Sequence, residues 1–236
     1  MLRRLALMLT FALGPAVAQD GAPTRLLGAK LAGLEAVGRV NVQGAGFCTG
    51  VLVAPDLVLT AAHCLYHSRS QRRVSDDRVH FVAAWRKGAY AAHGRVVRSV
   101  LPEAYRYTPT PVSTVLAADI ALLRLEAPLQ IAPMPLADLR DAPFAVVSYG
   151  RGRAHVPTLQ DPCRRHAAPG PVLRLTCDIA PGSSGAPVLQ RASEGYGVVA
   201  VISALAKTPD GAWALAAPLS DHVDKMRARL ETPQAR

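Results

Sequence analysis

Aromatic residues are scarce in this sequence, at 5% of 236 residues, and it has only 4 cysteines and 19% charged residues. The modest charge and the 50% hydrophobic content exclude a disordered chain. With no Gly-X-Y period and no sustained heptads, collagen and coiled coil are excluded as well. No Cys-x-x-Cys occurs and the histidines lack ligand spacing, so the pattern does not support a zinc site. The chain shows no internal repeat and no low-complexity tract. Its longest apolar run, Leu5 to Val17, is broken by Gly14-Pro15 and falls short of the ~20 residues of a membrane-spanning helix.

That run reads instead as part of a secretory leader, because Arg3 and Arg4 precede it and Ala16-Val17-Ala18 offers small residues for cleavage. The expected division is a signal peptide over 1–18 and a mature domain over 19–236, secreted or periplasmic. In such a compartment Cys48, Cys64, Cys163 and Cys177 are expected to form two bridges. Four cysteines allow three pairings, although the wide gap between Cys64 and Cys163 favours local pairs. Lys and Arg number 27 against 17 Asp and Glu, a formal net charge of +10 that draws the chain to anionic surfaces. The charge is scattered over Arg72-Arg73, Arg86-Lys87, Arg151, Arg153 and Arg164-Arg165, which reads as solvated surface and not as a specific nucleic-acid face.

Short Val- and Leu-rich stretches broken by Gly, Pro or Asp recur from Val37 to Pro218. Val51 to Val53, Val58 to Thr60, Val79 to Ala83, Ile120 to Leu125, Ala145 to Ser148 and Val198 to Ser203 are examples. The spacing predicts an all-β sandwich or barrel. The proline-rich connector from Ala127 to Pro135 divides the strands into two groups. His67 to Arg78 and Tyr105 to Thr114 read as surface loops. One helix is expected, at the end. Ser220 can cap it, Asp221 and Asp224 suit its first turn, and Val223, Met226 and Leu230 share one side.

Three segments carry residues of chemical interest: Leu59-Thr60-Ala61-Ala62-His63-Cys64, Ala118-Asp119 before Ile120 to Leu125, and Pro181-Gly182-Ser183-Ser184-Gly185-Ala186-Pro187. A serine hydroxyl is a poor nucleophile near neutral pH. Ser184 therefore needs a base to take its proton, and His63 is the candidate. An imidazole fills that role only when its other nitrogen keeps its proton and orientation, which a buried carboxylate such as Asp119 supplies. Glycines beside Ser184 permit a tight turn that aims the N–H groups of Gly182 and Ser184 at a developing oxyanion. Each motif alone is weaker than the set. Gly-x-Ser-Gly by itself is often a polar turn, and a lone histidine beside apolar residues is usually a core residue.

In these segments, in the order His, Asp, Ser, the chain closely resembles the trypsin-like (chymotrypsin-fold) serine endopeptidases, over roughly Gly46 to Leu230. The resemblance implies two packed six-stranded antiparallel β-barrels with a C-terminal α-helix: an N-terminal barrel over about 30–128, a C-terminal barrel over about 136–218 and the helix over about 220–231. It implies acyl-enzyme hydrolysis of polypeptides by His63, Asp119 and Ser184, with no cofactor, no metal, no membrane span and a monomeric state. It also matches Cys48 with Cys64 and Cys163 with Cys177. Two departures point to the bacterial glutamyl-endopeptidase-like branch. Ser183 stands where the trypsin-like enzymes have an aspartate that pairs with a newly cut N-terminal ammonium, and Thr24-Arg25-Leu26-Leu27-Gly28 replaces their Ile-Val-Gly-Gly.

By offset from Ser184, Asp178 falls at the base of the family's primary specificity pocket and Ser203 at its wall, which implies cleavage after Arg or Lys. The other reading of Asp178 is a local hydrogen-bonding role beside Cys177. Ile202, where glutamate-specific relatives have a histidine, disfavours glutamate. Asp76-Asp77 lies in a loop that holds calcium in some relatives, without an evident ligand set. The alternative function is a catalytically silent, basic binding protein of the same fold for anionic envelope polymers.

Overall fold

A computed structural model describes residues 21–209, 211–219 and 222–232. The expected signal peptide and the expected helix cap Ser220 with Asp221 lie outside the described residues. Strand β1 (Thr24–Arg25) is followed by six strands: β2 (Val37–Val42), β3 (Gly46–Ala54), β4 (Leu57–Thr60), β5 (Val79–Ala83), β6 (Ala92–Val100) and β7 (Ala121–Leu125). These six close into a barrel in the order β2-β3-β4-β7-β6-β5. Along these strands Val37, Val40, Val51, Leu52, Val58, Leu59, Phe81 and Leu122 have essentially no exposed surface. Each such apolar side chain contributes about 1.5–3 kcal/mol when fully buried.

The second half contains β8 (Phe144–Ser148), β9 (Thr158–Cys163), β10 (Arg165–His166), β11 (Leu173–Leu175), β12 (Pro187–Arg191), β13 (Tyr196–Thr208) and β14 (Gly211–Pro218). The all-β class and the terminal helix agree with the sequence. The second unit differs from the six-stranded barrel that was expected. It is an eight-stranded antiparallel sheet in the order β1-β9-β8-β12-β13-β14-β11-β10, and no pairing among the described residues closes it. The additional edge comes from the N-terminal segment, where Thr24 and Arg25 pair with Leu159 and Thr158.

The terminal helix α2 (His222–Glu231) buries Val223, Met226 and Leu230 against β6 and β7 of the first barrel. Its last carbonyls have no partner within the helix. Arg98 of β6 supplies one, donating to the carbonyls of Arg229 at 2.8 Å, Leu230 at 3.0 Å and Thr232 at 2.8 Å. Two disulfides are present, Cys48–Cys64 and Cys163–Cys177. Both enclose short loops, in accord with the local pairs favoured by spacing. Among the described residues no helix is long and apolar enough to cross a membrane.

Candidate active site

Register brings the first two chemical residues together. Thr60, the last residue of β4, pairs with Ala121, the first residue of β7. The chain therefore runs on from β4 into a 3-10 turn, Ala62–Leu65, beside the residue that enters β7. The two residues concerned are His63 and Asp119. Asp119 is 3% exposed, and a carboxylate so deeply buried needs donors. It has three: the backbone N–H of His63 donates to Oδ1 at 2.8 Å, while Nδ1 of His63 at 2.6 Å and the hydroxyl of Ser203 at 2.5 Å both donate to Oδ2.

A carboxylate oxygen can only accept here, so the proton of the imidazole sits on Nδ1 and Nε2 keeps its lone pair. Burial alone would lower the pKa of His63, but the charge and the hydrogen bond of Asp119 together outweigh it. The group stands above its ordinary 6.5. Its side chain remains one-third exposed.

The third residue arrives on a loop that only glycine permits. Gly182 has φ +100°, and a Cβ there would lie 2.6 Å from the Phe47 ring and 2.8 Å from the carbonyl oxygen of Tyr149. Gly185 has φ +79°, and its Cβ would lie 2.1 Å from Thr60 Oγ1 and 2.9 Å from the N atom of Ala61. The residue after Ser184 is thus packed against the segment that leads into His63. Among the described residues, the N–H groups of Gly182 and Ser184 donate to no protein acceptor. Ser184 is half-buried and its hydroxyl makes no hydrogen bond to the imidazole, whose Nε2 lies 4.0 Å from Sγ of Cys64. Such contacts are often loose without substrate and tighten when one binds.

Ser183 is wholly buried. Its Oγ accepts the N–H of Ala180 at 3.2 Å and donates to the hydroxyl of Ser148 at 3.1 Å, neutral contacts within the second sheet. The N-terminal segment is engaged on β9.

The two residues expected at the specificity pocket are placed as follows. Asp178 is not a buried, unpaired acid: its carboxylate is 63% exposed and pairs with Arg153 at 3.3 Å, while Gln160 Oε1 holds its N–H at 2.6 Å. The hydroxyl of Ser203 donates to Asp119. The β13–β14 register shifts between Ile202 and Ala204, and this bulge leaves Ser203 unpaired and aimed at Asp119. The segment from Tyr105 to Thr114, read as a surface loop, also differs. Tyr105 is 6% exposed, Tyr107 stacks on Tyr66 at 4.6 Å, and a short helix α1 (Ser113–Ala117) follows. With His63, Asp119 and Ser203, the two tyrosines and Leu116 line a cavity of 220 Å³. Burial first, and then the charge of Asp119, push the Tyr105 phenol far above its usual range, so it stays protonated. A larger hollow of 720 Å³ beside α2, lined by Leu136, Leu139 and Asp224 among others, holds no imidazole or serine nucleophile.

In the loop considered for calcium, Asp76 accepts both the N–H and the hydroxyl of Ser99. Among the described residues the one close group of potential metal ligands is Cys48, His63 and Cys64, and both of its sulfurs are committed to the disulfide.

A closed six-stranded β-barrel joined to a second β-sheet and followed by a C-terminal helix is the chymotrypsin-like fold of the serine endopeptidases. The chain belongs to the trypsin-like peptidase domain family, whose model matches residues 48–201. Solved structures agree on the fold. A Glu endopeptidase in complex with MPD is similar at TM-score 0.72 and 16% identity, over 92% of this chain and 99% of its own. The thermostable serine protease AL20 from an extremophilic microorganism is similar at TM-score 0.65 and 15% identity, over 84% and 98%. The protease Anisep from Arthrobacter nicotinovorans is similar at TM-score 0.65 and 14% identity, over 88% and 96%.

Proposed function

We propose that this chain is an exported endopeptidase, secreted or periplasmic, that cleaves polypeptides through an acyl-enzyme formed on Ser184. The observation that carries the reading is the 2.6 Å bond from His63 Nδ1 to Asp119, which leaves Nε2 as the free base beside the Ser184 loop. Ser184 Oγ attacks the peptide carbonyl carbon and its proton passes to His63 Nε2. The N–H groups of Gly182 and Ser184 receive the oxyanion. The imidazolium returns the proton to the leaving amine as the C–N bond breaks, and a water molecule, activated by the same nitrogen, then releases the acid. Asp119 orients the ring and stabilises its charged form. No cofactor enters these steps.

Export is supported by the leader pattern and by two disulfides, which persist in oxidising compartments. Preference for basic residues is not part of the proposal, because Arg153 already supplies the cation that Asp178 would seek in a substrate. Cleavage of a peptide library by the mature chain, with Ser184→Ala as control, tests the function. Defined endoproteolytic products that vanish in the variant are expected. Binding of anionic polymers without any Ser184-dependent product would favour the silent binding protein instead.

A further inference from the structure

Thr49 lies in β3 directly after Cys48, has no exposed surface, and uses every polar atom it carries. Its N–H donates to the carbonyl of Ser184 at 2.8 Å. Its hydroxyl donates to the carbonyl of Gly182 at 2.8 Å and accepts the N–H of Tyr149 at 3.0 Å. Its own carbonyl accepts the hydroxyl of Thr60 at 2.7 Å, and Thr60 closes the strand that leads to His63. A hydroxyl has one proton to give, so the direction of each bond is settled by its partner.

This chain of bonds crosses from the barrel that carries His63 to the sheet that carries Ser184. Gly182 needs such an anchor because glycine rotates readily, and its φ of +100° is one of several conformations open to it. Turning the peptides around Gly182 would swing its N–H away from the oxyanion position. Ser183 offers only neutral contacts on the sheet side of the loop. We propose that Thr49 is a positioning residue, whose hydroxyl holds the Gly182–Ser184 loop in register with His63. The inference rests on the endopeptidase reading for its kinetic consequence, but not for its structural one.

The test compares the mature chain with Thr49→Val, which keeps the shape but removes the hydroxyl, Thr49→Ala, which removes it without a second buried methyl, and Thr49→Ser, which keeps it. Amide hydrogen exchange of residues 179–186 is followed by mass spectrometry. Exchange is expected to quicken at least tenfold in the Val and Ala variants and to stay near wild type in Ser. Unchanged exchange in folded Val or Ala protein would overturn the proposal, whatever Ser184 does. In parallel, kcat is measured per titrated active site on a peptide ester. A fall of about 10- to 100-fold with KM within about threefold is expected for Val and Ala, with recovery in Ser. A loss confined to the titrated fraction of active sites, with kcat per site unchanged, would make Thr49 a merely structural residue and contradict the proposal.

Discussion

Ser203 and His63 share one oxygen of Asp119: the serine hydroxyl reaches Oδ2 at 2.5 Å and the imidazole Nδ1–H reaches the same atom at 2.6 Å. The carboxylate is therefore held from two sides, and the ring it orients is held with it. Removing the hydroxyl in Ser203→Ala leaves a buried charge short of one donor, which costs about 1.5–3 kcal/mol. Urea unfolding should report that loss, and peptidase kinetics a fall in kcat of about 3- to 30-fold. A variant as stable and as active as wild type would show that the Ser203 bond does no such holding.

The Asp–His pair also sets the pH dependence. Because the folded pKa of His63 is raised above 6.5, its charged form is favoured by folding. The stabilisation is fully present below 6.5 and is lost as pH rises through the folded value. On the proposed mechanism activity has the opposite sense, since the neutral ring would act as the base. The acid limb of kcat/KM is expected to have its midpoint above 6.5. In Asp119→Asn, with the raising causes removed and burial left, the midpoint should drop while kcat falls by roughly 10⁴-fold. An acid limb that stays in place in Asp119→Asn would rule out this coupling.

Asp178 gives a prediction about specificity. Its exposed carboxylate is balanced by Arg153, so Asp178→Ser should change cleavage after Arg and after Leu by the same factor, within about threefold. Matched peptides differing in the residue before the scissile bond provide the measurement. A loss restricted to basic substrates would return Asp178 to the pocket base.

How far the sequence could be read follows from where the determinants lie. His63, Asp119 and Ser184 sit in local patterns, a histidine turn after β4, an acid at the mouth of β7 and a glycine-flanked serine, so short-range chemistry exposes them. Strand β9 was not visible in that way. Its Gln160-Asp161-Pro162 breaks the alternation of a strand, and it is held by pairing Val146 with Gln160 and Ser148 with Thr158 on β8. Spacing from Ser184 points to Ser203, but its bond to Asp119 depends on a bulge between Ile202 and Ala204 that no local pattern marks. Thr49 and Tyr105 carried no signal beyond a polar residue in an apolar strand and a tyrosine in a polar stretch. The partner of Thr49, Gly182, is distant in the chain, and Tyr105 is buried only by the fold.

The last helix packs on β6 and β7 of the first barrel, and Arg98 of β6 bonds its end. Arg98→Ala removes two hydrogen bonds from the last turn of α2 and one from Thr232 just after it, at about 1 kcal/mol each. A decrease of about 2–4 kcal/mol in unfolding free energy is expected, with early proteolytic loss of the C-terminal segment. Unchanged stability with an intact terminus would show that the apolar face alone docks the helix.

Labelling of the mature chain by an active-site fluorophosphonate, with the modified residue located by peptide mapping, tests the nucleophile directly. The account expects one covalent adduct, on Ser184, and its loss together with peptidase turnover in Ser184→Ala and in His63→Ala. Near-normal peptide hydrolysis in Ser184→Ala, or an adduct on any other serine, would contradict it.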